Sequence, residues 1–204
     1  AAGISGIWLA AALGVVLGAA GLVLSKTVVS LFPATDEVSS GAVAYLHISW
    51  WGLPGMLIVI AATGVMRGLQ DTKTPLWIAL GGFGSNAALN AVLIYGLGLG
   101  LIGSAVGTVI AQWGMALVFL GFIITNARHQ DVSLTPSLLG FTAAARSGGW
   151  LFLRTLSLRV ALIGTVLVAT GLGTRELAAW HIVFTIFTLL ALALDALAIG
   201  AQAL

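Results

Sequence analysis

The stretch Arg67-Gly68-Leu69-Gln70-Asp71-Thr72-Lys73-Thr74-Pro75 decides how the rest of the chain is read. It sets Arg67, Asp71 and Lys73 between two long apolar runs. Arg67 stands where a cation meets the free carbonyls and the negative dipole end of a closing helix. Thr74 and Pro75 form an N-cap and N1 pair for a helix that opens there. The segment is therefore expected to be a short charged turn between two membrane spans.

Composition makes lipid the solvent. The 204 residues are 60% hydrophobic and 7% charged, with a mean hydropathy of +1.13. Soluble domains carry about 25% charged residues, so too little polar surface is present to cover a globule in water. Within a bilayer only helices and closed barrels satisfy the backbone. Strand alternation is absent and the apolar runs reach about 20 residues, which selects helices. The net charge of +2 gives no footing for nucleic acid, and the absence of cysteine excludes disulfides and thiol chemistry. Residue 1 already lies in an apolar helical pattern with no basic leader, so an internal fragment is expected, with the remainder of its own chain missing.

Six spans are predicted, near 3–32, 42–66, 75–97, 101–125, 148–170 and 177–204, each about as long as a bilayer crossing requires. The breaks are Pro33 to Glu37, the Arg67–Pro75 turn, the glycine-rich Gly96 to Gly103, the polar Asn126 to Pro136, and Gly171 to Glu176. The longest polar interval, 126–149, reads as a linker. It shares a face with the Arg67–Pro75 turn, and that face carries Arg67, Lys73, Arg128 and Arg146. The opposite face carries Arg175, with Lys26 inside the first span, so the positive-inside rule puts both turns in the cytoplasm. Gly14, Gly18 and Gly21 share one stripe of the first span, the pattern of close helix packing in lipid.

Few side chains could carry chemistry. Asp195 lies deep in the last span, where a carboxylate costs roughly 2.5–3.5 kcal/mol. At about 1.5 Å per residue from their shared outer loop, Asp195 lies about 27 Å in and Arg154 about 24 Å, with Arg159 at about 17 Å. Arg154 and Asp195 are expected to face each other or a common polar pocket, either as an ion site or as a static clamp between helices. Asn86 and Asn90 are four apart on one helix face, and with Gln112 they could line a polar cavity or bond between helices. Pro54 should kink the second span. Trp50 and Trp51 beside His47, and Trp180 beside His181, read as interface anchors. The run Gly98-Leu99-Gly100-Leu101-Ile102-Gly103 matches a dinucleotide pattern but has no strand before it, so it is rejected. No nucleophile elbow, zinc-protease motif, Walker loop or metal-ligand cluster is visible. The reading is not an enzyme and not a self-contained ATP-driven pump, and no cofactor is expected.

The turn and its surroundings, Gly64 to Leu76, resemble the turn after the fourth helix of MATE (multidrug and toxic compound extrusion) transporters, particularly the DinF-like branch. Asn86 to Gly96, followed by Gly103 to Thr108, is similar to that family's fifth and sixth helices. Arg154 to Leu158 resembles the start of the seventh, and Leu194 to Leu204 the eighth. The resemblance implies an all-α polytopic bundle matching helices 3–8 of a twelve-helix fold. Residues 1–125 would be four helices of the N-lobe, 126–149 the cytoplasmic inter-lobe linker, and 150–204 the first two helices of the C-lobe. It also implies a secondary antiporter in the bacterial inner membrane that exchanges a small-molecule substrate for protons or sodium by alternating access. The family's first-helix acidic residue would lie before residue 1, and Asn90 stands where many relatives carry an acid. The cavity residues expected are therefore Asn86, Asn90, Gln112, Arg154 and Asp195. A lipid-linked saccharide flippase of the same superfamily and a non-transporting membrane assembly subunit are the alternatives.

Overall fold

A computed structural model describes residues 2–30, 35–129, 134–136 and 138–202. Pro33 and Ala34 of the first break, Asp131 of the polar interval, and the final Leu204 lie outside the described residues. The described elements are helical: α1 (Ala2–Ser30), α2 (Asp36–Ser49), α3 (Leu53–Gly68), α4 (Lys73–Asn90), α5 (Gly100–His129), α6 (Leu138–Leu172) and α7 (Thr174–Gln202). A 3₁₀ turn, Trp50–Gly52, joins α2 to α3, and a π-helical turn, Ala91–Gly96, extends α4. Six stretches are long and apolar enough to cross a membrane: Gly3–Ser30, Asp36–Gly68, Lys73–Gly96, Gly100–Arg128, Gly148–Leu172 and Arg175–Ala198. The all-α, six-span fold is thus as expected.

The chain divides into two compact units, Ala1–Phe141 and Thr142–Leu204, a division that falls inside the polar interval 126–149. The described residues of that interval are mostly helical. Helix α5 runs on to His129 and α6 begins at Leu138, because nothing between Gly140 and Gly149 breaks a helix as proline would. In the first unit α1 packs on α3, and both α3 and α4 pack on α5. Its core joins Ile7, Ile58, Ala62, Met66, Ala116, Phe119 and Ile123 from α1, α3 and α5. In the second unit Ala169 alone is buried among the described residues.

The Arg67–Pro75 turn is built differently from the expectation. Helix α3 closes as a Schellman motif. Gln70, at φ +60°, donates its N–H to the Arg67 carbonyl at 2.9 Å, and the Asp71 N–H goes to the Met66 carbonyl at 3.0 Å. One Asp71 carboxylate oxygen then accepts the N–H groups of Lys73 (3.1 Å) and Thr74 (3.0 Å). Asp71, not Thr74, therefore caps α4. The helix starts at Lys73, and Pro75 is its third residue, where its missing N–H costs no helical bond. The glycine-rich run after α4 supplies the left-handed turn residues Gly98 (φ +65°) and Gly100 (φ +51°), which is why it imitates a dinucleotide motif.

Candidate functional site

The second span breaks where Pro54 predicts it. Proline has no N–H to give the carbonyl four residues back, that of Trp50. The chain answers with the 3₁₀ turn, in which the Leu53 N–H takes the Trp50 carbonyl instead. Helix α1 is cut to fit this break. A Cβ on Gly14 would sit 2.5 Å from the Pro54 Cα, and one on Gly18 would sit 3.1 Å from the Trp50 oxygen. A Cβ on Gly21 would collide with the Trp50 indole. One turn further, the Trp50 Nε1 donates to the Ser25 hydroxyl at 2.9 Å, and that hydroxyl donates to the Gly21 carbonyl at 2.6 Å. Trp50 is therefore an interhelical wedge rather than an interface anchor. Trp51 is 66% exposed, and its carbonyl accepts the Trp113 indole N–H at 2.8 Å. The glycine stripe was legible in the sequence. What it was shaped around, together with the role of Ser25, was not, since Ser25 differs from other serines only in lying four residues past Gly21.

Helix α5 closes the other side of the break. The Gln112 side-chain oxygen lies where Gly52 would carry a Cβ, so any side chain at Gly52 would displace it. Gln112 thus faces the α2–α3 junction.

Asn86 and Asn90 meet as expected: the Asn90 Nδ2 donates to the Asn86 Oδ1 at 2.9 Å. The Asn90 Oδ1 is buried without a partner. It rests on Gly107 of α5, where an added Cβ would lie 2.5 Å from it. Gly107 and Gln112 are five residues apart on α5, about 140° around the axis. Gln112 and the asparagine pair accordingly address different neighbours, and the three do not converge on one cavity. A bare amide oxygen inside the bundle costs about 1–3 kcal/mol. It can accept a hydrogen bond from a hydroxyl, an ammonium or water, or coordinate a cation.

Arg154 on α6 and Asp195 on α7 are both exposed, and no hydrogen bond or ion pair is made by either among the described residues. The expected pairing is therefore not formed. Matching depth fixes the height of two side chains but not the rotation of their helices, so the carboxylate and guanidinium need not converge. Arg159 is exposed as well. At the start of α7, Trp180 stacks on Phe184 with ring centroids 4.8 Å apart, and His181 meets Trp180 edge-on at 5.2 Å. Trp180 thus serves in an aromatic ladder along its own helix. No group of three or more metal-ligating side chains occurs among the described residues.

Residues 2–92 match the MatE family model. The chain is 34% identical to Protein DETOXIFICATION 44, chloroplastic, of Arabidopsis thaliana, over 86% of this chain and 33% of that protein. It is 31% identical to the probable multidrug resistance protein NorM of Pasteurella multocida, over 78% of this chain and 36% of that protein. It is 30% identical to the multidrug resistance protein MdtK of Yersinia pestis, over 97% and 40% respectively. These findings support a MATE-family segment. A crystal structure of a MATE protein in complex with MaD3S shares the fold, with a TM-score of 0.77 and 22% identity over 89% of this chain and 42% of that one. The chain spans about a third to two fifths of the length of the curated relatives it matches. Relatives from a plant and from bacteria both align, so the similarity is to the family rather than to one kingdom's branch.

Proposed function

We propose that the chain is part of a multi-pass secondary antiporter of MATE type. It exports drugs or metabolites in exchange for protons or sodium by alternating access. The observation that carries this reading is the match over 97% of the chain to a relative named as a multidrug resistance protein. The first unit supports it physically. Repeat-built carriers rock one helical body against another, and such a body must move without shearing. The lock of Gly14, Gly18 and Gly21 onto the Trp50–Pro54 break gives α1 through α3 that stiffness. This reading assigns the Asn86–Asn90 pair to the path within the first unit and Asp195 within the second. Within it, Asn90 accepts a hydrogen bond from substrate or from path water, and Asp195 carries the coupling charge. The turn motif from Gly64 to Leu76 favours the DinF-like branch, and the bacterial relatives favour an inner-membrane location. The clamp that a non-transporting subunit would need joins Arg154 to Asp195, and among the described residues these two form no ion pair, which favours the transport reading.

The test uses the full-length protein in proteoliposomes, with an imposed proton or sodium gradient and a fluorescent organic cation. Gradient-driven movement of the cation is expected, and Asp195→Asn is expected to lower it at equal incorporation. Absence of gradient-driven movement in the unaltered protein overturns the antiporter reading. Undiminished movement in Asp195→Asn removes the coupling role from that residue.

A further inference from the structure

A groove of about 620 Å³ runs between α4 and α5. It begins at Thr74 and Trp77, near the Arg67–Pro75 turn, and ends at Leu89. Fifteen helical steps separate Thr74 from Leu89, about 22 Å at 1.5 Å each. That exceeds the depth of one leaflet, about half of a 30 Å hydrocarbon core. The floor is held open by small residues: a Cβ on Gly81 or Gly114 would meet nothing within 4 Å. The walls offer a guest no polar partner below the rim. Ser85, the polar residue of the deep part, already donates its hydroxyl to the Gly82 carbonyl at 2.9 Å.

The rim is charged. Lys73 is exposed immediately before Thr74, and Arg67 is exposed across the same turn. Asp71 accepts the Lys73 and Thr74 N–H groups and also attracts the Lys73 ammonium, but two cations, Arg67 and Lys73, stand against this one carboxylate, so the rim stays net positive. Trp77 is 71% exposed one turn deeper, at the level where an indole suits the interface.

We infer that the α4–α5 groove binds one acyl chain of an anionic phospholipid from the cytoplasmic leaflet, with the lipid phosphate held at Lys73. The inference rests on the membrane orientation set by the basic turns and is independent of which substrate is transported. The test is native mass spectrometry of the full-length protein with phosphatidylglycerol and with phosphatidylcholine of the same chains. Gly81→Leu, and separately Gly114→Leu from the opposite wall, is expected to retain one phosphatidylglycerol fewer than the unaltered protein. Gly84→Leu, at an equally open position outside the groove, is expected to retain the full number. Lys73→Gln is expected to abolish the preference for phosphatidylglycerol. Full retention in both groove-filling variants overturns the inference, as does a preference that survives Lys73→Gln. A photo-crosslinking residue at position 81 separates the occupants directly. A lipid adduct supports the site, and an adduct to another helix of the protein overturns it.

Discussion

Asp71 joins two helices with one residue. Its backbone N–H closes α3 and its carboxylate opens α4. Bonds from the Thr74 side chain and backbone hold its carboxyl below the usual carboxylate range, with the Lys73 N–H and ammonium adding to the effect. Because the folded value is depressed, the stabilisation is fully present above the unfolded value of about 3.9 and is lost as pH falls through the folded value. Asp71→Ala is expected to cost about 1 kcal/mol near neutral pH, the usual scale of a lost cap. The deficit should shrink as pH falls below about 4. Thermal unfolding of the detergent-solubilised full-length protein between pH 3 and 7 measures it.

Gln70 holds a left-handed conformation at a position helices usually give to glycine. A β-carbon there costs on the order of 1 kcal/mol. Gln70→Gly is expected to raise the unfolding midpoint in the same assay, and Gln70→Val to lower it. The sequence marked this segment as a turn but not its cap. Asp71 and Thr74 are both good N-cap residues, and only the path of the backbone after Gln70 decides which one reaches the free N–H groups.

At the scale of elements, the α1 stripe and the broken second span are one device. Proline breaks the helix, the 3₁₀ turn recovers the Trp50 carbonyl, and three glycines let α1 come close to the irregular backbone. Irregular backbone at membrane depth persists only where protein covers it, and α1 provides that cover. The Trp50–Ser25 hydrogen bond fixes the register of the contact. Ser25→Ala and Trp50→Phe are each expected to destabilise by about 0.5–1.5 kcal/mol. The double variant should lose less than the sum of the two, because both remove one interaction. A double-mutant cycle on unfolding midpoints checks this, and strict additivity would separate the two residues. Pro54 and the stripe were each visible in the sequence. Their meeting was not, since helical periodicity reports which face is small and not which neighbour it meets.

For the whole molecule, orientation is the testable quantity. These 204 residues hold no cysteine, so single cysteines introduced here report topology without background from this stretch. Gln70→Cys and Arg128→Cys are expected to resist a membrane-impermeant maleimide in intact cells and to react in inverted vesicles. Asp36→Cys and Leu99→Cys are expected to do the reverse. These four positions lie on alternating ends of the first four spans. Labelling of Gln70→Cys from outside would invert the topology derived from the basic residues and would remove the cytoplasmic lipid from the groove between α4 and α5.

The sequence by itself determined that the chain lives in lipid, that it crosses in six helical rods, and where most of the rods end. Hydrocarbon content and charge spacing act through solvation, and solvation needs no knowledge of neighbours. Tertiary structure alone decided that Trp50 faces Ser25, that Asn90 lies on Gly107 while Gln112 turns to Gly52, and that Arg154 and Asp195 form no ion pair. Each of these depends on the rotation of one helix against another. In a chain so uniformly apolar, that rotation is set by the fit of small residues to particular shapes and hardly at all by the hydrophobic pattern.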